Sequence, residues 1–340
     1  MNSLHAPLVP SFRRQNLPQS TREKGFTLVE LLVAMAISSV IAIAAVSALI
    51  VSRQGFVTVD AASQLRDNAR FATDLMQRLG VQAGYEDFIY ATTNRLANVA
   101  GVASNPDPSI SGFNNSTPSA SDPFNTATAR TAGLGFGSDI LILRYQATET
   151  FPGSGVSDRS MIDCAGNAST AIPVNRDDRI TSVLYVGLSQ GEPSLMCKIG
   201  SADGQPIIQG VENFQVLFGV DNVTPNTAPA AAATTDSVAD RFLRADQMVV
   251  PSDPVGTNAN WRRVRSLRIG MVIRGPTGSA QDSAAQTFFP LGQSRASSGG
   301  SAGSAMSSTN DPGTIFSPGA DSRMRQVVTF TVHLRNEQGL

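Results

Sequence analysis

Residues 24–53 read KGFTLVELLVAMAISSVIAIAAVSALIVSR, and the rest of the chain takes its place from them. No residue from Leu31 to Ser52 is charged. As a helix rising 1.5 Å per residue, that run spans roughly 33 Å, enough for a bilayer core. Arg53 closes it. A secretory signal would carry an apolar core of roughly 7–15 residues ending at a small-residue cleavage site. This run is longer and passes into a further helical pattern. A helix buried in a large soluble core is the other reading that length leaves. Glu30 spoils a plain anchor, because a carboxylate in lipid is costly unless it is paired or lies at the interface. If Gly25 ended a removable leader, the α-amine of Phe26 would be a cation four residues before Glu30. That amine is a partner for the carboxylate within the chain or on a neighbouring subunit. A carboxylate near a helix start is also favoured by the backbone dipole.

The charge is divided by region. The 340 residues hold 26 Lys and Arg against 27 Asp and Glu, a net charge of −1. Met1 to Gly25 carries Arg13, Arg14, Arg22 and Lys24 against Glu23, so its side chains sum to +3. The remainder holds 22 basic and 26 acidic residues, a net −4. A basic segment just before an apolar run orients that run with the segment inside. The near-neutral total excludes a general nucleic-acid-binding field. With 41% hydrophobic and 16% charged residues, the chain is no polytopic membrane protein, collagen or coiled-coil rod.

Beyond Arg53 the helical pattern continues. Ala61, Leu65, Ala69, Ala72, Leu75, Met76 and Leu79 recur at three- and four-residue steps, one face of an amphipathic helix. Arg66, Asp67, Arg70, Asp74, Gln77 and Arg78 form the other face. Arg70/Asp74 and Asp74/Arg78 are opposite charges at helical spacing, each worth a few tenths of a kcal/mol. The expected helix runs from about Thr27 to Leu79, with Gly55 as its bend and Gly80 and Gly84 weakening or ending it. Strands are expected at Asp139–Tyr145, Arg179–Leu188, Leu195–Ile199, Val264–Arg274 and Arg325–Arg335. In the last, Val328, Phe330, Val332 and Leu334 point one way and Thr329, Thr331 and His333 the other. Helix, strand and turn compete over Ile207–Val220, and Asn94–Gly133 reads as a long loop with room for a short helix. Thr224–Thr235 and Pro276–Ala320 are low-complexity surface excursions, the second with Phe288 and Phe289 as its few apolar anchors.

Lys24-Gly25-Phe26-Thr27-Leu28-Val29-Glu30 resembles the processing site of type IV pilins and type II secretion pseudopilins. The resemblance implies a prepilin peptidase that cuts between Gly25 and Phe26 and methylates the new amine. It makes Glu30 the assembly carboxylate, which meets the Phe26 amine of a neighbouring subunit. The head resembles the PilW family of minor type IV pilins. Asp163-Cys164-Ala-Gly166, Leu195-Met-Cys197, GVENFQVLFGVD (Gly210 to Asp221), Trp261-Arg-Arg-Val264, Met271-Val-Ile-Arg274 and Val332-His-Leu-Arg335-Asn336 carry that likeness in order. Arg66 to Tyr85 matches the family's post-membrane helix. Many relatives follow the GVD segment with an Asp/Gly-rich stretch able to hold a cation. Here Asn222-Val223-Thr224-Pro225 stands instead. The pseudopilin GspJ is similar in plan, which keeps a type II secretion system as the alternative.

The implied fold is α+β, pilin-like: a long N-terminal helix on an antiparallel β head. Its segments are a leader at 1–25, a membrane or filament-core helix at 26–52, its amphipathic continuation at 53–80 and a head at 81–340. The implied function is a minor pilin that primes pilus assembly and sits at the tip, with adhesion and twitching motility downstream. Its implied partners are the prepilin peptidase, other minor pilins, the major pilin, the inner-membrane assembly platform and a tip adhesin. The implied location is the inner membrane with a periplasmic head, then the pilus.

Cys164 and Cys197 fall in the exported region, where an oxidising compartment permits a disulfide. Two buried free thiols are the alternative. Two cysteines without a nearby histidine do not complete a metal site. His5 lies in the leader and His333 stands alone on a strand. No GxSxG elbow, P-loop, HExxH or Cys/His dyad occurs, so no catalytic residue, metal or cofactor is expected. Arg262, Arg263, Arg265 and Arg268 are expected to pair with carboxylates of the body rather than with nucleic acid.

Overall fold

A computed structural model describes residues 25–87, 105–200, 203–230, 236–293 and 306–336. The leader before Gly25, the first part of the Asn94–Gly133 loop and portions of both low-complexity stretches lie outside these residues. The chain separates into two units, with the division between Arg53 and Gln54. Helix α1, Leu28–Gln82, belongs to both.

In the first unit every described residue is exposed, and an 18-residue window of α1 reaches a mean hydropathy of 2.5 with none of its residues buried. Such a surface is stable only in lipid or against other apolar helices. Two serines of this run, Ser39 and Ser47, keep their hydroxyls satisfied within the helix. Ser39 Oγ donates to the Ala36 carbonyl (2.8 Å) and Ser47 Oγ to the Ile43 carbonyl (2.8 Å). An unpaired hydroxyl in hydrocarbon would be costly.

In the second unit the amphipathic half of α1 packs on two antiparallel sheets. All seven apolar residues expected on its buried face are buried, from Ala61 to Leu79. Leu65, Leu75, Met76 and Leu79 each contribute about 1.5–3 kcal/mol by leaving water. Arg70, Asp74 and Arg78 are exposed and form no ion pair among the described residues. At full exposure the Coulomb gain does not offset the rotamer freedom lost by holding them together. Gly80 stays inside the helix. A Cβ there would run into Val332, so its absence lets the helix approach the last strand closely. Gly84 ends the helix in the left-handed region at φ 76°.

The first sheet is ordered β1-β4-β5-β6-β7. It comprises β1 (Ile110–Phe113), β4 (Ile140–Tyr145), β5 (Ile180–Ser189), β6 (Glu192–Ile199) and β7 (Gln205–Gln209). A short hairpin, β2 (Ser116–Pro118) with β3 (Ala127–Ala129), accompanies it. The unbroken apolar run of β4 is buried on both faces. Leu141 and Leu143 join the main core, while Ile140 and Ile142 form a second cluster with Val183, against which Phe124 and Ala127 pack. The expected long loop therefore contains three short strands, and the short helix imagined there is not found among its described residues.

The second sheet is ordered β11-β10-β8-β9. It comprises β8 (Val211–Val220), β9 (Arg241–Leu243), β10 (Val264–Arg274) and β11 (Arg325–His333). Two short helices, α2 (Ala245–Met248) and α3 (Pro254–Trp261), lie between β9 and β10. Gly210, at φ 84°, resolves the competition over Ile207–Val220: it turns the chain between two strands. Phe214, Val216, Phe218 and Val220 face the core with Leu267, Ile269, Met271 and Ile273 of β10. The other face is covered by the Ser/Gly/Ala-rich excursion. Pro290 and Leu291 are buried there, and the Thr329 hydroxyl donates to the Pro290 carbonyl (2.5 Å). Leu291 is the fully buried anchor, whereas Phe288 and Phe289 are only half-buried.

Candidate functional site

Gly25, Phe26 and Thr27 lead into α1 outside any regular structure, and Phe26 is 88% exposed. Thr27 and Glu30 close the helix start reciprocally. The Thr27 amide and hydroxyl both donate to Glu30 Oε2 (2.9 and 3.1 Å), and the Glu30 amide donates to Thr27 Oγ1 (3.2 Å). This is a capping box, in which two otherwise unpaired amides at the helix start are satisfied by side chains. Its signature, Thr-x-x-Glu, stands in the sequence. Attention to the glutamate's charge alone passes over the threonine. Glu30 Oε2 is occupied by Thr27, and Oε1 meets no donor among the described residues.

The cysteines form a disulfide, Cys164–Cys197, with Cα atoms 5.6 Å apart and both side chains buried. Asp163 shapes the turn that presents Cys164. Its Oδ1 accepts from the amides of Ala165 and Asn167, both at 2.9 Å. The Ser182 hydroxyl accepts from the Cys164 amide (3.1 Å). Gln82, at the end of α1, clamps the same loop with two bonds to Ile162. Its amide nitrogen donates to the Ile162 carbonyl (3.1 Å), and its oxygen accepts from the Ile162 amide (3.0 Å).

The remaining head motifs also meet structurally. GVENFQVLFGVD and WRRVRSLRI lie on neighbouring strands, with Phe218 opposite Leu267 and Val220 opposite Val264. Trp261 stands edge-on to Phe218, with ring centroids 4.8 Å apart. The four arginines form no patch. Arg262 reaches the Pro106 carbonyl (2.9 Å), Arg263 the Asn222 carbonyl (3.4 Å) and Arg268 the Leu291 carbonyl (3.3 Å). Arg265 lies 3.6 Å from Asp221, both side chains buried. Arg265 pairs with a carboxylate, and Arg262, Arg263 and Arg268 reach carbonyls, so the expected pairing with carboxylates is seen in part among the described residues. Asn336 donates to the carbonyls of Val81 (2.8 Å) and Ala83 (3.1 Å), satisfying acceptors at the end of α1.

Ionisable groups join the sheets. Asp139 is buried where β4 begins. Its Oδ2 accepts from the Val216 amide (2.8 Å) and its Oδ1 from the Asn115 amide (2.9 Å), yet burial pushes its carboxyl well up. Burial likewise raises Asp311 to about 6, against the pull of Arg244. Arg323, Glu192, Arg274, Glu212, Arg325 and Asp321 form a continuous chain of ion pairs at 2.6–3.1 Å across β6, β8, β10 and β11. His333 is exposed, with no carboxylate at ion-pair distance among the described residues. No group of three or more His, Cys, Asp or Glu could hold a metal among the described residues. A cavity of about 890 Å³ lies between the 131–136 and 308–319 loops, lined by Leu134, Phe136, Ile315 and Asp311 among others.

Comparison with known proteins adds two family matches. The profile described as type IV pilus-assembly protein W matches residues 183–336, from β5 through Asn336. The prokaryotic N-terminal methylation motif matches residues 20–46. A type IV-like pilin from Thermus thermophilus aligns in structure at 12% identity and a TM-score of 0.34, covering 80% of this chain and 96% of that one. No curated protein matches significantly.

Proposed function

We propose that this chain, which belongs to the PilW family of the type IV pilin and pseudopilin superfamily, works as a minor pilin that primes pilus assembly and occupies the tip. The observation that carries the reading is the capped, fully exposed apolar helix start at Thr27–Glu30. The precursor waits in the inner membrane with its basic leader in the cytoplasm and its head in the periplasm. The prepilin peptidase cuts between Gly25 and Phe26 and methylates the Phe26 amine. The capping box survives that cut, since Thr27 and Glu30 both lie beyond it. Glu30 keeps Oε2 on its own helix and offers Oε1 to the Phe26 amine of a neighbouring subunit.

Assembly in this reading is mechanical, not catalytic. The apolar half of α1 exchanges lipid for neighbouring helices, so its burial is kept throughout. The charge on Glu30 sets register, because a subunit out of step leaves a carboxylate unpaired in apolar surroundings. The excursion loops of the head favour the tip over the shaft on steric grounds. The other minor pilins, the major pilin, the assembly platform and a tip adhesin are the partners of this role.

Glu30→Ala and Glu30→Gln test it in cells with pilus retraction disabled. Glutamine can still accept from Thr27 but carries no charge, so both variants are expected to lose incorporation and surface pili. Unchanged piliation and incorporation would overturn the role of the carboxylate. Labelled subunits spaced regularly along the shaft would overturn the tip position.

A further inference from the structure

The two sheets have four edges, and three are blunted. β1 is four residues long and β9 three. β7 carries Pro206, and its pairing with β6 shifts register between Leu195 and Met196. Shortness, proline and irregular register are the ordinary protections against strand addition. β11 has none of them. It runs nine residues in unbroken register with β10, from Arg274↔Arg325 to Ser266↔His333, without proline or lysine.

The backbone direction along β11 follows from the bonds at its two ends. Gly275 donates to the Met324 carbonyl (2.7 Å) and Leu334 donates to the Arg265 carbonyl (3.0 Å). The even-numbered residues therefore turn their amides and carbonyls toward β10. Arg325, Val327, Thr329, Thr331 and His333 turn theirs outward, and no group among the described residues pairs with them. Most residues of β11 are half-exposed, unlike β8, which is buried throughout.

We propose that this edge receives an extended segment of a different polypeptide, which joins the sheet as a fifth strand beside β11. The pairing surface states the chemistry of that segment. On the core side, half-buried Val328 and Phe330 call for apolar residues at alternate positions. On the other side, Val327, Thr329 and Thr331 fit small or β-branched residues. Arg325 is already neutralised by Glu212 and Asp321, whereas Arg335 is exposed beyond the strand's other end, so an acidic residue is favoured there. A second copy of this chain is disfavoured. Antiparallel pairing of two copies centred on Thr329 sets Arg335 opposite Arg323, so a second copy offers Arg335 no acidic residue there. The proposal does not rest on the pilin reading.

The test uses the full chain in detergent and a capped nine-residue peptide, EVTITVTVQ, with a scrambled control. Hydrogen exchange is expected to show that the peptide protects the amides of Val327, Thr329, Thr331 and His333. The even-numbered amides should be unchanged. Thr329→Pro removes one outward donor and the hydroxyl bond to Pro290 but no bond to β10, so the fold should persist, with Trp261 fluorescence as the check and Thr329→Val, which loses only the hydroxyl bond, as the control. Peptide affinity should fall by about tenfold or more. No protection in the folded wild type would overturn the proposal, as would protection indifferent to Thr329→Pro. A concentration-dependent dimer abolished by Thr329→Pro would reassign the edge to a second copy and overturn the choice of occupant.

Discussion

Replacing Asp311 by asparagine removes a carboxyl group that the folded head holds away from water. In the folded chain Asp311 keeps its proton up to about pH 6, against an ordinary value of 3.8. Below pH ~4 both folded and unfolded chains are protonated there, and the group contributes nothing. As pH rises from 4 to 6 the unfolded chain gives up the proton first, so stability falls. Above that window the folded state carries the whole penalty. At about 1.4 kcal/mol for each tenfold change in proton affinity, the penalty is roughly 2–3 kcal/mol. Asp311→Asn keeps an acceptor for the Asn114 amide, which donates to Oδ1 (3.3 Å), and discards the charge. The variant should therefore gain roughly 2–3 kcal/mol at pH 7.5 and nothing near pH 4. The lone tryptophan, Trp261, is buried against Phe218 and reports unfolding of the head. Urea titrations of the full chain in detergent, followed by its fluorescence at a series of pH values, give the comparison. Asp139 adds a slope of the same sign in both proteins, because burial raises it too. Glu192 and Asp321 act outside this window. Hydrogen bonds from Arg274 and Arg325 hold them below the ordinary carboxylate range, so their stabilisation is lost only at more acid pH. A variant equally destabilised at pH 4 and pH 7.5 would refute the assignment of a buried, proton-holding carboxyl at 311.

Opening the disulfide by Cys164→Ala with Cys197→Ala frees a loop with a sequence separation of 33. Chain entropy puts the loss at about 3–4 kcal/mol, readable in the same titrations and matched by reduction of the wild type. Asn336→Ala leaves the Val81 and Ala83 carbonyls without their donor and should cost about 1–2 kcal/mol, with faster amide exchange confined to the last turn of α1. Gly80→Ala drives a methyl group into Val332 and should cost about 1–3 kcal/mol, most of it recovered when Val332→Ala is added. An additive double mutant would show that helix and strand do not press together there.

Much of this architecture is legible before any coordinates. The seven apolar positions of the helix face, the alternation of β11 and the bounds of β10 depend on local periodicity, and each appears as expected. The processing motif is legible for the same reason, since its chemistry lies within seven consecutive residues. Ile207–Val220 is not, because its pattern suits several structures and only pairing with β6 and β10 selects two strands. The exposed charges of α1 read as ion pairs by spacing, yet solvent leaves them apart.

The head motifs mark the boundary most clearly. From sequence they are a family likeness without a stated purpose. In the fold they become a disulfide, a local turn, a buried ion pair and a cap on a helix end, and all but the turn join residues far apart in the chain. Sequence alone determined the apolar helix, its amphipathic continuation and the Glu30 charge, because periodicity and composition act over a few residues. Tertiary structure decided which buried acids hold protons, what Asn336 is for and which sheet edge is left unpaired among the described residues. Desolvation and unsatisfied backbone groups are properties of what surrounds a residue, and the surroundings come from the whole chain.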